Sequence, residues 1–190
     1  DVDSLDQPKA ERARERLQRL NPEIDVRAYP TELRAANARE ILADYDIVLD
    51  GSDRLSTRYL VNDACVLFGK ALVSAAIHRF EGQAMTYVPG RGPCYRCLFP
   101  EPPPPEAAPN CAEAGVLGVL PGVIGLLQAT EAIKLLLGIG DTLRGRLLQF
   151  DALAMRFRET RLAADPQCPV CAPDRAFNGY ADYAAFCAGS

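Results

Sequence analysis

Residues 46–77 read DIVLDGSDRLSTRYLVNDACVLFGKALVSAAI, and this stretch decides the fold. Asp46 to Asp50 is a short apolar run that stops at Gly51-Ser52-Asp53, the pattern of a buried strand ending in a turn. A helical pattern resumes from about Leu55 to Phe68, and Ala71 to Ile77 is a second buried strand of the same type. Strand, helix, strand at this spacing is a βαβ unit, so the fold class is α/β. The expected architecture is a Rossmann-like, mixed but mainly parallel sheet with helices on both faces. In such sheets ligands bind beyond the carboxyl ends of the strands. Gly51-Ser52-Asp53 sits at such an end, which makes Asp53 a candidate ligand contact. It also precedes the helix at Leu55, so helix capping is the competing role.

Before this unit, residues 8–20 predict an amphipathic helix, with Ala10, Ala13, Leu17 and Leu20 at helical spacing and charges on the outer face. Glu15 can pair with Arg19 one turn on. Asn21-Pro22 ends this helix. A short strand is expected over Ile24 to Tyr29, then a helix from about Thr31 to Ala43 with Thr31 as its N-cap. After Ile77 the character changes. Gln83 to Val88, Arg146 to Phe150 and Met155 to Leu162 predict antiparallel or edge strands, and Val119 to Leu137 a helix. Phe99 to Asn110, FPEPPPPEAAPN, is too rich in proline for helix or sheet and reads as an exposed connection. Beyond Cys171 the chain has few core-sized runs and reads as a peripheral tail.

The 190 residues carry a net charge of -4, with 48% hydrophobic and 24% charged residues, the balance of a soluble globular protein. That charge argues against a nucleic-acid partner, which calls for a basic face. Residues 1–20 are charged throughout and contain no apolar signal core. The most apolar stretch, Ala114 to Gly140, is interrupted by Pro121, Gln128, Glu131 and Lys134. It therefore predicts a loop and a core helix rather than a membrane span. Seven cysteines, four of them in two close pairs, do not resemble a secreted disulfide framework. A reducing cytoplasm is the expected compartment.

Cys94-Tyr-Arg-Cys97 and Cys168-Pro-Val-Cys171 each let two thiolates reach one ion from a tight turn, and two such turns complete a tetrahedron. Four soft sulfur ligands with no open position predict a structural zinc site that clips the C-terminal strands onto the domain. The competing reading is two redox pairs or buried thiols. Cys111 stands apart: it follows the proline-rich connection near a helix start, where a thiolate can be stabilised and reached. A lone loop cysteine is also commonly incidental. Cys65 reads as core, and Cys187 has no visible role. His78, the single histidine, reads as a strand-end surface residue, so histidine-assisted nucleophilic catalysis within the chain is not expected.

Several motifs occur together: QPK at Gln7–Lys9, LDGSD at Leu49–Asp53, TRYLVND at Thr57–Asp63, RFEGQ at Arg79–Gln83 and PCYRC at Pro93–Cys97. NCAEAGVLGVLPGVIG at Asn110–Gly125, QATEAIK at Gln128–Lys134 and CPVC at Cys168–Cys171 complete the set. In combination they resemble the MoeB/ThiF family, relatives of ubiquitin-activating enzymes, over nearly the whole chain. The stretch around Cys111 is closest to members with a C-terminal rhodanese domain, and YADYAAFC at Tyr180–Cys187 is similar to the junction that leads into it. The resemblance implies an adenylating domain over residues 1–173 and a linker over 174–190. It implies Mg-ATP-dependent adenylation of the C-terminal glycine of a ubiquitin-like sulfur carrier of the MoaD/ThiS type, followed by thiocarboxylate formation, and a homodimer. On this reading Lys9 contacts the ATP phosphates, Asp53 serves Mg²⁺ and nucleotide, and Cys111 attacks the adenylate or forms a mixed disulfide.

Two departures stand out. Where the family has Asn after the nucleotide aspartate, this chain has Arg54, which is expected to alter ribose or phosphate contacts or to add positive charge. The Gly-rich loop that usually opens such a domain is not in the sequence, so the chain reads as a fragment expected to be inactive alone. The alternative function is a scaffold that binds a ubiquitin-fold partner without activating it. The residues do not choose among molybdopterin, thiamine, cysteine and tRNA-thiolation pathways.

Overall fold

A computed structural model describes residues 5–103, 115–173 and 179–188. Five strands form one sheet in the order β1-β2-β3-β4-β5: β1 Ile47–Asp50, β2 Ala71–His78, β3 Glu81–Tyr87, β4 Arg146–Asp151 and β5 Arg156–Arg161. The helices are α1 Lys9–Leu20, α2 Ala35–Leu42, α3 Leu55–Phe68, the short α4 Tyr95–Leu98, α5 Leu120–Leu137 and α6 Tyr183–Ala188. The expected βαβ unit is β1-α3-β2, with Val48 opposite Leu72 and Asp50 opposite Ser74 in parallel register. Gly69 ends α3 in the left-handed region at φ 63°, its N–H reaching back to the carbonyls of Cys65 and Val66.

The sheet is mixed, as expected, but parallel pairing does not dominate among the described strands. Only β1–β2 is parallel, and the other three pairs are antiparallel. The cause is local. Arg79 and Phe80 alone join β2 to β3, and a two-residue connection can only return the chain antiparallel.

Alternation along β2 sorts side chains onto two covered faces. Leu72 packs with Val61, Cys65 and Tyr87 on the α3 face, whereas Ala75 packs with Ala84, Leu120, Ile124 and Phe150 on the α5 face. Helices therefore cover both faces. Within α5, Glu131 is buried and accepts bonds from Thr86 Oγ1 at 2.8 Å and the Leu143 N–H at 2.6 Å, while Lys134 pairs with it. These polar anchors dock α5 on the sheet. By length and composition α5 is also apolar enough to cross a membrane. It is less enclosed than a core helix should be, because Leu126, Ile133, Leu136 and Leu137 lie exposed on its outer side.

Two N-terminal expectations differ from the structure. Residues 24–29 form no strand: they run alongside no partner strand, and Arg27 is held by Asp25 and by Asp44 at 2.8 Å instead. The helix expected from Thr31 starts at Ala35, because Asn37 Oδ1 accepts the Arg34 N–H at 2.8 Å and fixes the first turn there. α1 forms where expected, yet none of its residues is buried among the described part of the chain.

Candidate active-site cleft and metal centre

β1 ends at Asp50 opposite Ser74 while β2 runs on to His78, and a cleft of about 220 Å³ opens beyond the end of β1 beside this last part of β2, lined by Gly51, Ser52, Asp53, Arg58, Pro121 and Gln128 among others. The chain leaves β1 through a tight turn in which Asp50 Oδ1 accepts the Ser52 N–H at 2.9 Å. Asp50 is buried, and its Oδ2 has no hydrogen-bond partner among the described residues. Asp53 follows, exposed at the cleft. The N-cap position of α3 is Arg54, with no side-chain cap bond, so Asp53 does not cap the helix. No hydrogen bond or ion pair engages the Asp53 carboxylate among the described residues. A free carboxylate at the mouth of a cleft is an oxygen donor of the kind Mg²⁺ takes.

Arg58 and Gln128 frame the floor of this cleft. Arg58, buried on α3, donates from Nη1 to the Ala75 carbonyl at 2.9 Å and from Nη2 to the Ser52 carbonyl. From the other face, Gln128 Nε2 donates to the carbonyls of Asp50 at 2.9 Å and Val73 at 3.0 Å. The motif reading did not single out either residue. Their signal was a polar side chain at helical spacing from another polar one: Arg58 sits one turn before buried Asn62, and Gln128 three residues before buried Glu131.

The other nominated residues lie elsewhere. Lys9 opens α1, is exposed and does not line the cleft. Arg54 is exposed and pairs with Glu32 at 3.2 Å; Arg34, hydrogen-bonded to the same carboxylate, holds Glu32 below its ordinary carboxylate range. Cys111 falls outside the described residues. His78 is exposed at the end of β2, opposite Glu81.

The second feature is a cluster of four sulfurs. Cys94 is the N-cap of α4 and Cys97 lies within its single turn, and Cys168 and Cys171 flank a turn after β5. Their Sγ atoms all lie within 4.8 Å of one another, with Cys94 to Cys168 at 3.6 Å and Cys97 to Cys171 at 3.4 Å. A tetrahedron with zinc–sulfur bonds of about 2.3 Å has sulfur–sulfur edges of roughly 3.8 Å, so the donors present fit such an ion. The thiols share their protons. Hydrogen bonds from Cys171 and Cys94 push Cys168 down, whereas the bond to Cys168 pushes Cys94 up and Cys171 up to about 12. Hydrogen bonds of this kind favour a thiolate, the form in which a cysteine binds a cation.

The cluster is braced by buried polar groups. Asn62 Nδ2 points to Cys94 Sγ at 3.8 Å, and its Oδ1 accepts the Tyr95 N–H at 2.8 Å. Arg96, between the two ligands of the first pair, makes a bidentate bond to Asp63 at 2.9 and 2.8 Å and lies over the Tyr59 ring. Tyr183 of α6 donates to the same Asp63 carboxylate at 2.8 Å.

Known proteins are similar to this chain in sequence and in fold. The model of the ThiF family matches residues 1–170. A sulfur carrier protein adenylyltransferase of Thermus thermophilus is 54% identical over 191 residues, covering 98% of this chain and 70% of that protein. The SAMP-activating enzyme E1 of Haloferax volcanii is 51% identical over 169 residues, covering 89% and 62%. The adenylyltransferase and sulfurtransferase MOCS3-1 of Drosophila pseudoobscura pseudoobscura is 47% identical over 180 residues, covering 94% and 40%. Of these three relatives, the chain thus spans less than two thirds of the archaeal and fly proteins. Among solved structures, E. coli MccB with AMPCPP and MccA superposes with a TM-score of 0.77 at 18% identity, over 90% of this chain and 53% of that one. At that identity the likeness concerns the fold. Together with the mixed sheet and the cleft at its strand ends, the match over residues 1–170 places the chain in the ThiF family.

Proposed function

We propose that this chain is the adenylating part of an enzyme that uses Mg-ATP to activate the C-terminal glycine of a ubiquitin-like sulfur carrier in the cytoplasm. The observation that carries the reading is Asp53: a carboxylate with no partner among the described residues, at a cleft beyond the carboxyl end of β1, in a ThiF-family chain. The names of the Thermus and Haloferax relatives support the same substrate class. A carboxylate is a poor electrophile until one of its oxygens becomes part of a good leaving group. Attack of the carrier's terminal carboxylate oxygen on the α-phosphorus, with departure of pyrophosphate, makes it one. Asp53 would hold the Mg²⁺ that offsets phosphate charge, because that ion takes one or two carboxylates plus phosphate oxygens.

Lys9 and Arg54 would be the phosphate-side cations of this reading although neither lines the cleft and Arg54 would have to leave Glu32, and Cys111 would be the sulfur nucleophile or exchange partner of the step that follows. A thiolate suits that step, since it displaces AMP from an acyl-adenylate and exchanges with persulfides. The four-cysteine cluster would hold a structural zinc ion, leaving no open position for catalysis. The enzyme would work as a homodimer. The test is pyrophosphate–ATP exchange by the full-length protein with a ThiS-type carrier. Asp53→Asn should lower exchange at least 100-fold while the variant stays folded, whereas Cys111→Ser should leave exchange intact and stop thiocarboxylate formation, read by mass spectrometry of the carrier. Full exchange in Asp53→Asn would overturn the reading.

A further inference from the structure

We infer that Arg58 and Gln128 are positioning residues that pin the Asp50–Asp53 turn from opposite faces of the sheet and so fix where the Asp53 carboxylate stands. The inference rests on the reading that Asp53 holds Mg²⁺.

The β1–β2 ladder ends at Asp50 opposite Ser74, so the chain from Gly51 to Arg54 lies beyond any strand pairing. Such a turn would normally be loose, because only neighbouring hydrogen bonds restrain it. Here two side chains replace the missing ladder. Gln128, reaching from α5, spends both hydrogens of its amide nitrogen on carbonyls of different strands: Asp50 on β1 and Val73 on β2. Arg58, reaching from α3, does the same one step further out, joining Ser52 beyond β1 to Ala75 on β2. Asp50 Oδ1 adds the Ser52 N–H at 2.9 Å. The backbone leading to Asp53 is thereby tied at Asp50 O, Ser52 N and Ser52 O, and both cross-links end on β2, a central strand of the sheet.

Both residues are costly to keep. Arg58 is 7% exposed and Gln128 8% exposed, and among the described residues no carboxylate pairs with Arg58. A buried guanidinium held only by two carbonyls is poor value for stability alone, since a buried charge is normally compensated by a partner. It is well placed for geometry, because a planar donor fork sets two acceptors at a fixed separation. A ligating carboxylate must be held to within about half an ångström of its working position. The Asp53 side chain itself is exposed, so that precision has to come from its backbone.

The test is the magnesium dependence of pyrophosphate–ATP exchange in full-length protein, with a ThiS-type carrier, for Gln128→Met, Arg58→Met, Arg58→Lys and Asp53→Asn. Met removes the donors at similar length; Lys keeps the charge and can reach one carbonyl. Gln128→Met and Arg58→Met are expected to raise the Mg²⁺ concentration for half-maximal exchange about 10-fold, with KM for the carrier unchanged and Arg58→Lys recovering part of the loss. Thermal melts of each variant give the folded fraction that scales these rates. If exchange fell only in proportion to that fraction, or if Mg²⁺ dependence stayed as in the parent while Asp53→Asn was inactive, the clamp would be wrong and the role of Asp53 would stand. If Asp53→Asn exchanged normally, both would fall together.

Discussion

Gly82 is the position where one added atom should be felt most. It lies on β3 opposite Ile77, and a Cβ there would stand 2.4 Å from Cδ1 and 2.5 Å from Cγ1 of Ile124 on α5. Ile124 is itself buried in the cluster that holds α5 to the sheet, so it has little room to turn away. Gly82→Ala is therefore expected to destabilise the fold by about 1–3 kcal/mol, the usual cost of overpacking. Adding Ile124→Val should return part of that loss, and a double-mutant cycle by denaturant unfolding would read the coupling; strict additivity would contradict the contact. This steric role was not legible in the motif RFEGQ, where the glycine has no visible neighbour. Placement was legible for the four cysteines, whose spacing brings their sulfurs together, and for Asp53, which follows a strand end and lines the cleft. Arg58 and Gln128 escaped because their partners are backbone carbonyls, which every sequence has and none advertises.

Elements were readable to the extent that their pattern was local. The apolar runs of β1 and β2 and the periodicity of α3 and α5 specify themselves, whereas residues 24–29 carry a strand-like composition and find no strand to pair with. α6 is the opposite case: six residues without a periodic signal become a helix because Tyr183 is buried against α3 and donates to Asp63. Losing that bond, made to a charged group, should cost about 1.5–3 kcal/mol. In Tyr183→Phe, amide exchange across α6 is expected to speed up while exchange in β2 and β3 stays as in the parent; uniform acceleration would mean that α6 does not detach separately. The bond has a pH signature as well. Burial, and then the charge on Asp63, push the Tyr183 phenol above its ordinary value. The docked helix retains a proton that the detached one gives up from about pH 10, so docking is complete below that pH and is lost as pH rises toward the docked value. The phenylalanine variant should lack this alkaline loss.

At the scale of the whole molecule, the sulfur cluster joins parts that the sheet leaves apart. Cys94 and Cys168 are 74 residues distant in sequence, and the turn carrying Cys168 and Cys171 lies beyond the last strand, with no ladder to hold it. An ion that binds the folded chain and not the unfolded one stabilises it by mass action, about 4 kcal/mol where free metal stands 1,000-fold above its dissociation constant. The cluster is also wired to α6, because Arg96 stands between two ligands and shares Asp63 with Tyr183. In metal-loaded protein, removing the ion should therefore release two pieces at once, the segment around 168–171 and α6, while β2 and β3 stay paired. With about 2–4 °C per kcal/mol for a chain of this size, stripping the ion is expected to lower the melting temperature by roughly 10 °C. Acid should do the same without a chelator, since bound thiolates must take up protons to let the ion go. Calorimetry of metal-loaded and stripped protein, with metal content measured on each sample, reads the shift. Cys97→Ser supplies the control: three sulfurs cannot complete the tetrahedron, so this variant should melt low and ignore the chelator. Stripped protein that melts where the loaded protein does would mean that side-chain packing, and not the ion, closes the 74-residue loop.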